Sequence, residues 1–80
     1  MTISSLIVKC KLGNEENIAS RLRKFCGITV EEVLQGQLIL VMENESLNEA
    51  HEMMDKEINN IPGVLGIYPA YIYFEDEFSA

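Results

Sequence analysis

The sequence predicts an α+β domain of order β-α-β-β-α-β, a four-stranded antiparallel sheet with two helices on one face. Three observations predict it. The chain reads as two similar halves: Phe25-Cys26-Gly27-Ile28 and Ile61-Pro62-Gly63-Val64 each join an apolar helix end, a glycine turn and a strand start. Ser5-Leu6-Ile7-Val8 and Gln37-Leu38-Ile39-Leu40-Val41-Met42 are apolar at successive positions, so both faces of those strands are apolar where a half-buried strand would alternate. Pro69 falls in the last strand-like segment, and a missing N–H is tolerated at a sheet edge.

Each element has its own justification. The first strand is expected over residues 4–11. Leu12-Gly13-Asn14 breaks it, and Asn14 can cap a helix. Glu15 and Glu16 suit the positive helix N-terminus, while Arg21, Arg23 and Lys24 suit its end. Ile18, Leu22 and Phe25 recur at helical spacing, flanked by Ala19 and Cys26, and Gly27 stops the helix. Ile28–Leu34 is rich in β-branched residues and reads as the second strand. Gln35-Gly36 makes a tight hairpin into a third strand over residues 37–43.

Ser46-Leu47-Asn48-Glu49 matches a capping box. Leu47, Ala50, Met54, Ile58 and Ile61 follow at helical spacing, which predicts a second helix to about residue 60. Ile61-Pro62-Gly63 ends it, and Val64–Phe74 is the fourth strand. Two such halves joined by a hairpin give the ferredoxin-like split β-α-β arrangement, with sheet order 4-1-3-2. The most apolar strands, the first and third, then lie at the centre. Pro69 lies on one edge, and Glu31 and Glu32 on the other, where charge discourages edge association. Residues 1–75 form one domain, and residues 76–80 are an acidic tail.

Composition narrows the function. The net charge of -7 disfavours nucleic acid and anionic membrane surfaces. The charge is uneven: residues 1–26 carry five bases and two acids, whereas residues 27–80 carry one base and eleven acids. No apolar run reaches membrane length and no signal peptide is seen. The two cysteines, Cys10 and Cys26, have no Cys-x-x-Cys spacing, so free thiols in a reducing cytoplasm are expected, with Cys10 in the core.

The residues of chemistry are sparse. The single histidine, His51, stands four before Asp55 on the second helix and reads as a solvated surface pair. One histidine and no cysteine cluster disfavour a transition-metal site, and the acids do not follow a calcium-loop spacing. The scattered glycines form no phosphate cradle. RNA-binding relatives of this shape need aromatics on the central strands, and here those strands are aliphatic. Copper carriers need Cys-x-x-Cys before the first helix, where this chain has Lys9-Cys10-Lys11-Leu12. Acylphosphatase-like enzymes need an arginine in a loop that here reads Leu12-Gly13-Asn14. No cofactor is expected and no enzyme activity is predicted.

Two helices cover one side of a sheet, so the other side presents an apolar strip, and such strips mark partner sites. The expected open face comprises Ile7 and Lys9 from strand one, Ile39 and Val41 from strand three, and Tyr68, Ala70 and Ile72 from strand four. Leu65 and Ile67 are assigned to the helix side. Glu43 extends the strand-three set and Glu31 has matching parity in strand two. An apolar floor with carboxylates at its margin suits an amphipathic helix carrying arginines. The same floor would equally serve a homodimer of face-to-face sheets.

Three segments also resemble the NapD family: Ser4-Ser5-Leu6-Ile7-Val8, Gly36-Gln37-Leu38-Ile39-Leu40-Val41, and Gly63-Val64-Leu65-Gly66-Ile67 on to Tyr71. The resemblance runs in register from about Ser4 to Glu75. It implies a cytoplasmic chaperone with the ferredoxin-like fold, which binds the twin-arginine signal peptide of the periplasmic nitrate reductase catalytic subunit (NapA) as a helix on the sheet. Binding would restrain export until the molybdenum cofactor is inserted. Family members often carry a histidine after the strand-four tyrosine, whereas Ile72 follows Tyr71 here, so no contact of that histidine carries over. The alternative reading is an ACT-like or amino-acid-sensing module that dimerises through its sheet and binds a small molecule. The cheap discriminator is oligomeric state.

Overall fold

A computed structural model describes the backbone of residues 2–74 and the side chains of residues 2–71. The elements are β1 (Thr2–Cys10), α1 (Glu15–Leu22), β2 (Ile28–Leu34), β3 (Gln37–Asn44), α2 (Leu47–Glu52) and β4 (Val64–Phe74). A π-helical segment, Met53–Ile58, continues α2 without a break. The sheet is antiparallel with order β2-β3-β1-β4, the ferredoxin-like order read in the other direction. The tail at residues 76–80 lies outside the described residues.

Burial alternates strictly along the two central strands. In β1, Leu6, Val8 and Cys10 are buried; in β3, Leu38, Leu40 and Met42 are. These side chains meet Ile18, Ala19 and Leu22 of α1, Ala50 of α2, and Met54 and Ile58 of the π segment. Ile28 and Ile61 close the core at the strand entries. Thus the core lies on one side of the sheet. Burying each large aliphatic contributes about 1.5–3 kcal/mol, so this one-sided layer is what holds the small domain together. Thr2, Ser4 and Asn44 share the buried side at the far end of β1 and β3. Ser4 Oγ and Asn44 Oδ1 have no hydrogen-bond partner among the described residues.

The helices differ from expectation in instructive ways. α1 stops at Leu22, four residues before the expected end. Tight turns follow, with the Lys24 N–H donating to Arg21 O and the Phe25 N–H to Leu22 O. Phe25 still packs partly against the core, but Cys26 is exposed. Asn14 occupies the cap position without a side-chain cap bond, whereas Ser46 Oγ accepts the Glu49 N–H at 3.2 Å as the capping box requires. Leu47 is exposed rather than core.

The π segment has a simple reason. Ala50, Met54 and Ile58 are buried at intervals of four, which overshoots an α-helical turn of 3.6 residues. A π turn, with its i→i+5 bonds, rotates less per residue and offsets that drift. The Asn59 N–H accordingly donates to Met54 O at 2.9 Å.

Gly27 does not end α1; it serves β3. Its φ is +88°, and a Cβ there would stand 2.8 Å from the Glu43 carbonyl oxygen. Only glycine allows that approach, and the Glu43 N–H donates to Gly27 O at 2.8 Å.

Candidate functional site

The uncovered face is built by the alternate residues of the same strands. In β1 these are Ile3, Ser5, Ile7 and Lys9; in β3 they are Gln37, Ile39, Val41 and Glu43. The central ladder is unbroken and pairs Ile3 with Glu43, Ser5 with Val41, Ile7 with Ile39 and Lys9 with Gln37. Ile3, Ile7, Ile39 and Val41 are half-buried although none of the described helices covers them, because each leans on its cross-strand neighbours. Lys9 Nζ donates to Gln37 Oε1 at 2.8 Å, which fixes a cation at one end of the floor. Glu43 is exposed at the other end.

β4 supplies one flank, through two register shifts against β1. Lys9 stands opposite Gly66 and Cys10 opposite Val64, so Leu65 is an extra residue. Leu6 stands opposite Pro69 and Ser5 opposite Tyr71, so Ala70 is a second. Each shift reverses the parity beyond it. Tyr68, opposite Ile7, therefore takes the expected open face, and so does Tyr71, opposite Ser5. Both rings are more than half exposed, at 55% and 58%.

Three strand-four assignments need correction. Ala70 is the bulge residue and pairs with nothing in β1. Ile72 stands opposite Ser4, a position of the helix-side row, and its side chain lies outside the described residues. Leu65, assigned to the helix side, is the other bulge residue and is 70% exposed; Ile67 packs against the core as assigned, and Val64 joins it there. Tyr71, missed in the sequence, replaces Ala70 and Ile72 on this flank. The signal available was Pro69, which removes a ladder donor just before the shift.

β2 supplies the other flank, again through a bulge. Val30 stands opposite Leu40 and Glu32 opposite Ile39, so Glu31 is the extra residue. Simple parity placed Glu31 on the open face; the register gives that position to Glu32. Both carboxylates are exposed. Thr29, opposite Val41, and Leu34, opposite Gln37, complete the flank.

Gly66 makes room for Tyr68. A Cβ on Gly66 would lie 3.0 Å from the Tyr68 hydroxyl oxygen and 3.1 Å from Cε2. The ring thus lies over the glycine two residues before it, next to Lys9 and Ile7. A second concavity involves His51 and Asp55. It is a shallow groove of about 340 Å³ on the helix side, lined by His51, Met54, Asp55, Asn59, Ile67 and Pro69. His51 and Asp55 are both exposed there, and the i,i+4 ion pair on this helix is instead Lys56–Glu52 at 3.9 Å. Among the described residues no three His, Cys, Asp or Glu side chains converge as a metal site would require. Cys10 is buried, and burial first, then the nearby Glu15 carboxylate, pushes its thiol up from its ordinary value. None of the described helices is long and apolar enough to cross a membrane.

Fold and surface together define a ferredoxin-like domain with one covered and one uncovered sheet face, the latter floored by aliphatics and flanked by tyrosines on one side and carboxylates on the other. The chain belongs to the NapD family: the family model described as NapD protein matches residues 1–76. Among solved structures it is similar to one described as the solution structure of the E. coli Tat proofreading chaperone protein NapD. The two are 28% identical, with a TM-score of 0.79 over 94% of this chain and 79% of that one. No curated protein sequence matches the chain.

Proposed function

We propose that this chain is a cytoplasmic chaperone that binds the twin-arginine signal peptide of the periplasmic nitrate reductase catalytic subunit, NapA, and holds back export until the molybdenum cofactor is in place. The observation that carries this reading is the uncovered face itself. Ile7, Ile39 and Val41 form a contiguous half-buried floor beside two exposed tyrosines. Water contact with such a surface is unfavourable, and an apolar peptide face would relieve it. Membership of the NapD family and likeness to an E. coli protein described as a Tat proofreading chaperone support the same reading.

The residues divide by role. Ile3, Ile7, Ile39 and Val41 receive the apolar side of the peptide. Tyr68 and Tyr71 stack along one flank, where aromatic side chains dominate many interfaces. Glu43 at one end of the floor, and Glu32 with Glu31 beside it on the β2 flank, are the two carboxylate positions that can meet the arginines through charge-assisted hydrogen bonds. No step of this function needs a bound cofactor or a bond made or broken by the chain.

Calorimetric titration with the twin-arginine peptide, in parallel with a peptide whose two arginines are glutamine, tests the proposal. Saturable binding weakened by the change is the expected result. No binding at high micromolar peptide would overturn it. In that case a stable dimer by sedimentation would favour the sheet-to-sheet module instead.

A further inference from the structure

The uncovered face is electrically polar along its length. At one end Lys9 is held toward Gln37, and Lys11 follows just beyond β1. At the other end Glu43 stands opposite Ile3, and Glu45 follows just beyond β3. Between them the floor is Ser5, Ile7, Ile39 and Val41, with no formal charge. Glu31 and Glu32 lie on the β2 flank, level with Ile39, one ladder pair from Lys9 and two from Glu43; they offset the lysines there and leave the Glu43 end the more negative of the two. Arg21, Arg23 and Lys24 belong to the helix layer across the sheet, and the Glu15 carboxylate, near the lysine end, is engaged by the Gly13 and Gly36 N–H groups.

We infer that the face binds its signal peptide in one direction, with the arginine-bearing N-terminal end at Glu43 and Glu45 and the C-terminal end of the apolar segment at Lys9. This rests on the proposed function and adds to it a direction and two end residues that set it. Six residues of strand separate Ile3 from Lys9, about 20 Å at roughly 3.4 Å each. A helix of about 13 residues spans the same length at 1.5 Å per residue, enough for one short apolar run. In this direction the arginines meet carboxylates and the negative end of the helix dipole meets Lys9. In the reverse direction the arginines face Lys9 and Lys11, and the helix C-terminus faces Glu43.

The test uses the full chain, isotope-labelled, with the synthetic twin-arginine peptide carrying a nitroxide at its N-terminus or its C-terminus. The N-terminal label is expected to erase the amide signals of Glu43 and Glu45 and spare those of Lys9 and Gly66. The C-terminal label is expected to do the opposite. Lys9→Glu should remove the distinction, so that either label broadens both ends. A reversed pattern, equal broadening at both ends in the parent chain, or an unchanged pattern in Lys9→Glu overturns the directional inference while the chaperone reading stands. A peptide that fails to bind at all overturns both.

Discussion

One carboxylate of Glu15 closes two turns at once: Oε2 accepts the Gly36 N–H at 2.7 Å and Oε1 accepts the Gly13 N–H at 2.9 Å. The first bond ties the start of α1 to the β2–β3 hairpin, 21 residues away in sequence. Gly36 takes the positive φ of that hairpin, +78°, and its carbonyl in turn accepts the Cys10 N–H. The helix layer and the lysine end of the sheet are therefore fastened through a single side chain.

This clamp makes stability depend on pH. The Gly36 N–H, with further backbone donors, holds the Glu15 carboxyl below its ordinary value near 4.5. A carboxyl whose folded value is depressed stabilises the fold above its unfolded value and loses that contribution as pH falls through the folded value. Thermal melts of the parent chain and Glu15→Gln should therefore differ at pH 7 and converge as pH falls below the carboxylate range. A constant difference across that range would show that the charge of Glu15 plays no part.

Neighbouring residues of β3 should respond in opposite ways. Ile39→Asp is expected to keep the circular dichroism spectrum of the parent and lose signal-peptide binding by more than tenfold, because its side chain meets only the open face. Leu40→Ala, fully buried on the other side, should cost about 2–5 kcal/mol in denaturant unfolding. If Ile39→Asp unfolds the chain, the floor is core rather than a binding surface.

Tyr71→Ala is expected to weaken peptide binding by about tenfold, in the range of a truncated aromatic anchor. Leu65→Ala, at an exposed bulge one strand-end away, should leave affinity and melting temperature nearly unchanged. Equal losses from the two would remove the distinction between a tyrosine flank and general surface stickiness.

The strand-four tyrosines mark where the sequence could be read and where it could not. Ile28–Leu34 and Val64–Phe74 were legible to the residue, because β-branched runs and glycine breaks bound them. The sheet order followed from the two matching β-α-β halves, and the strands apolar on both sides agreed with it by falling at the centre. What failed was parity through Leu65, Ala70 and Glu31. A bulge is a property of two strands in register; Pro69 hints at the one at Ala70, but Leu65 and Glu31 carry no such mark when each strand is read alone. The early end of α1 and the π segment after Glu52 were hidden for a related reason: both are set by what the helix must reach in the core, not by local propensity.

Ser4 presents a test of the buried polar end. Its hydroxyl is wholly buried and lacks a partner among the described residues, so it bears a desolvation cost with no compensating bond. Ser4→Ala should raise stability by about 1 kcal/mol in denaturant unfolding. A loss of similar size would mean that the hydroxyl is satisfied in solution.

Gly27→Ala should destabilise by more than about 1 kcal/mol. The added methyl meets the Glu43 carbonyl while the backbone is held at positive φ. A neutral effect in chemical unfolding would show that the α1–β2 connection can shift without pulling on β3.

The bulges at Glu31, Leu65 and Ala70 have a bearing on what kind of ligand this molecule can accept. They interrupt both rims of the sheet, while the central β1–β3 ladder runs without a break. An extended peptide seeking to join as a fifth strand meets rims whose N–H and C=O groups fall out of step at each bulge, which disfavours its pairing there. A helix brings its backbone bonds already closed and asks of the surface only side-chain contact. Conformation itself thus becomes a criterion of selection, applied before any residue of the visitor is read.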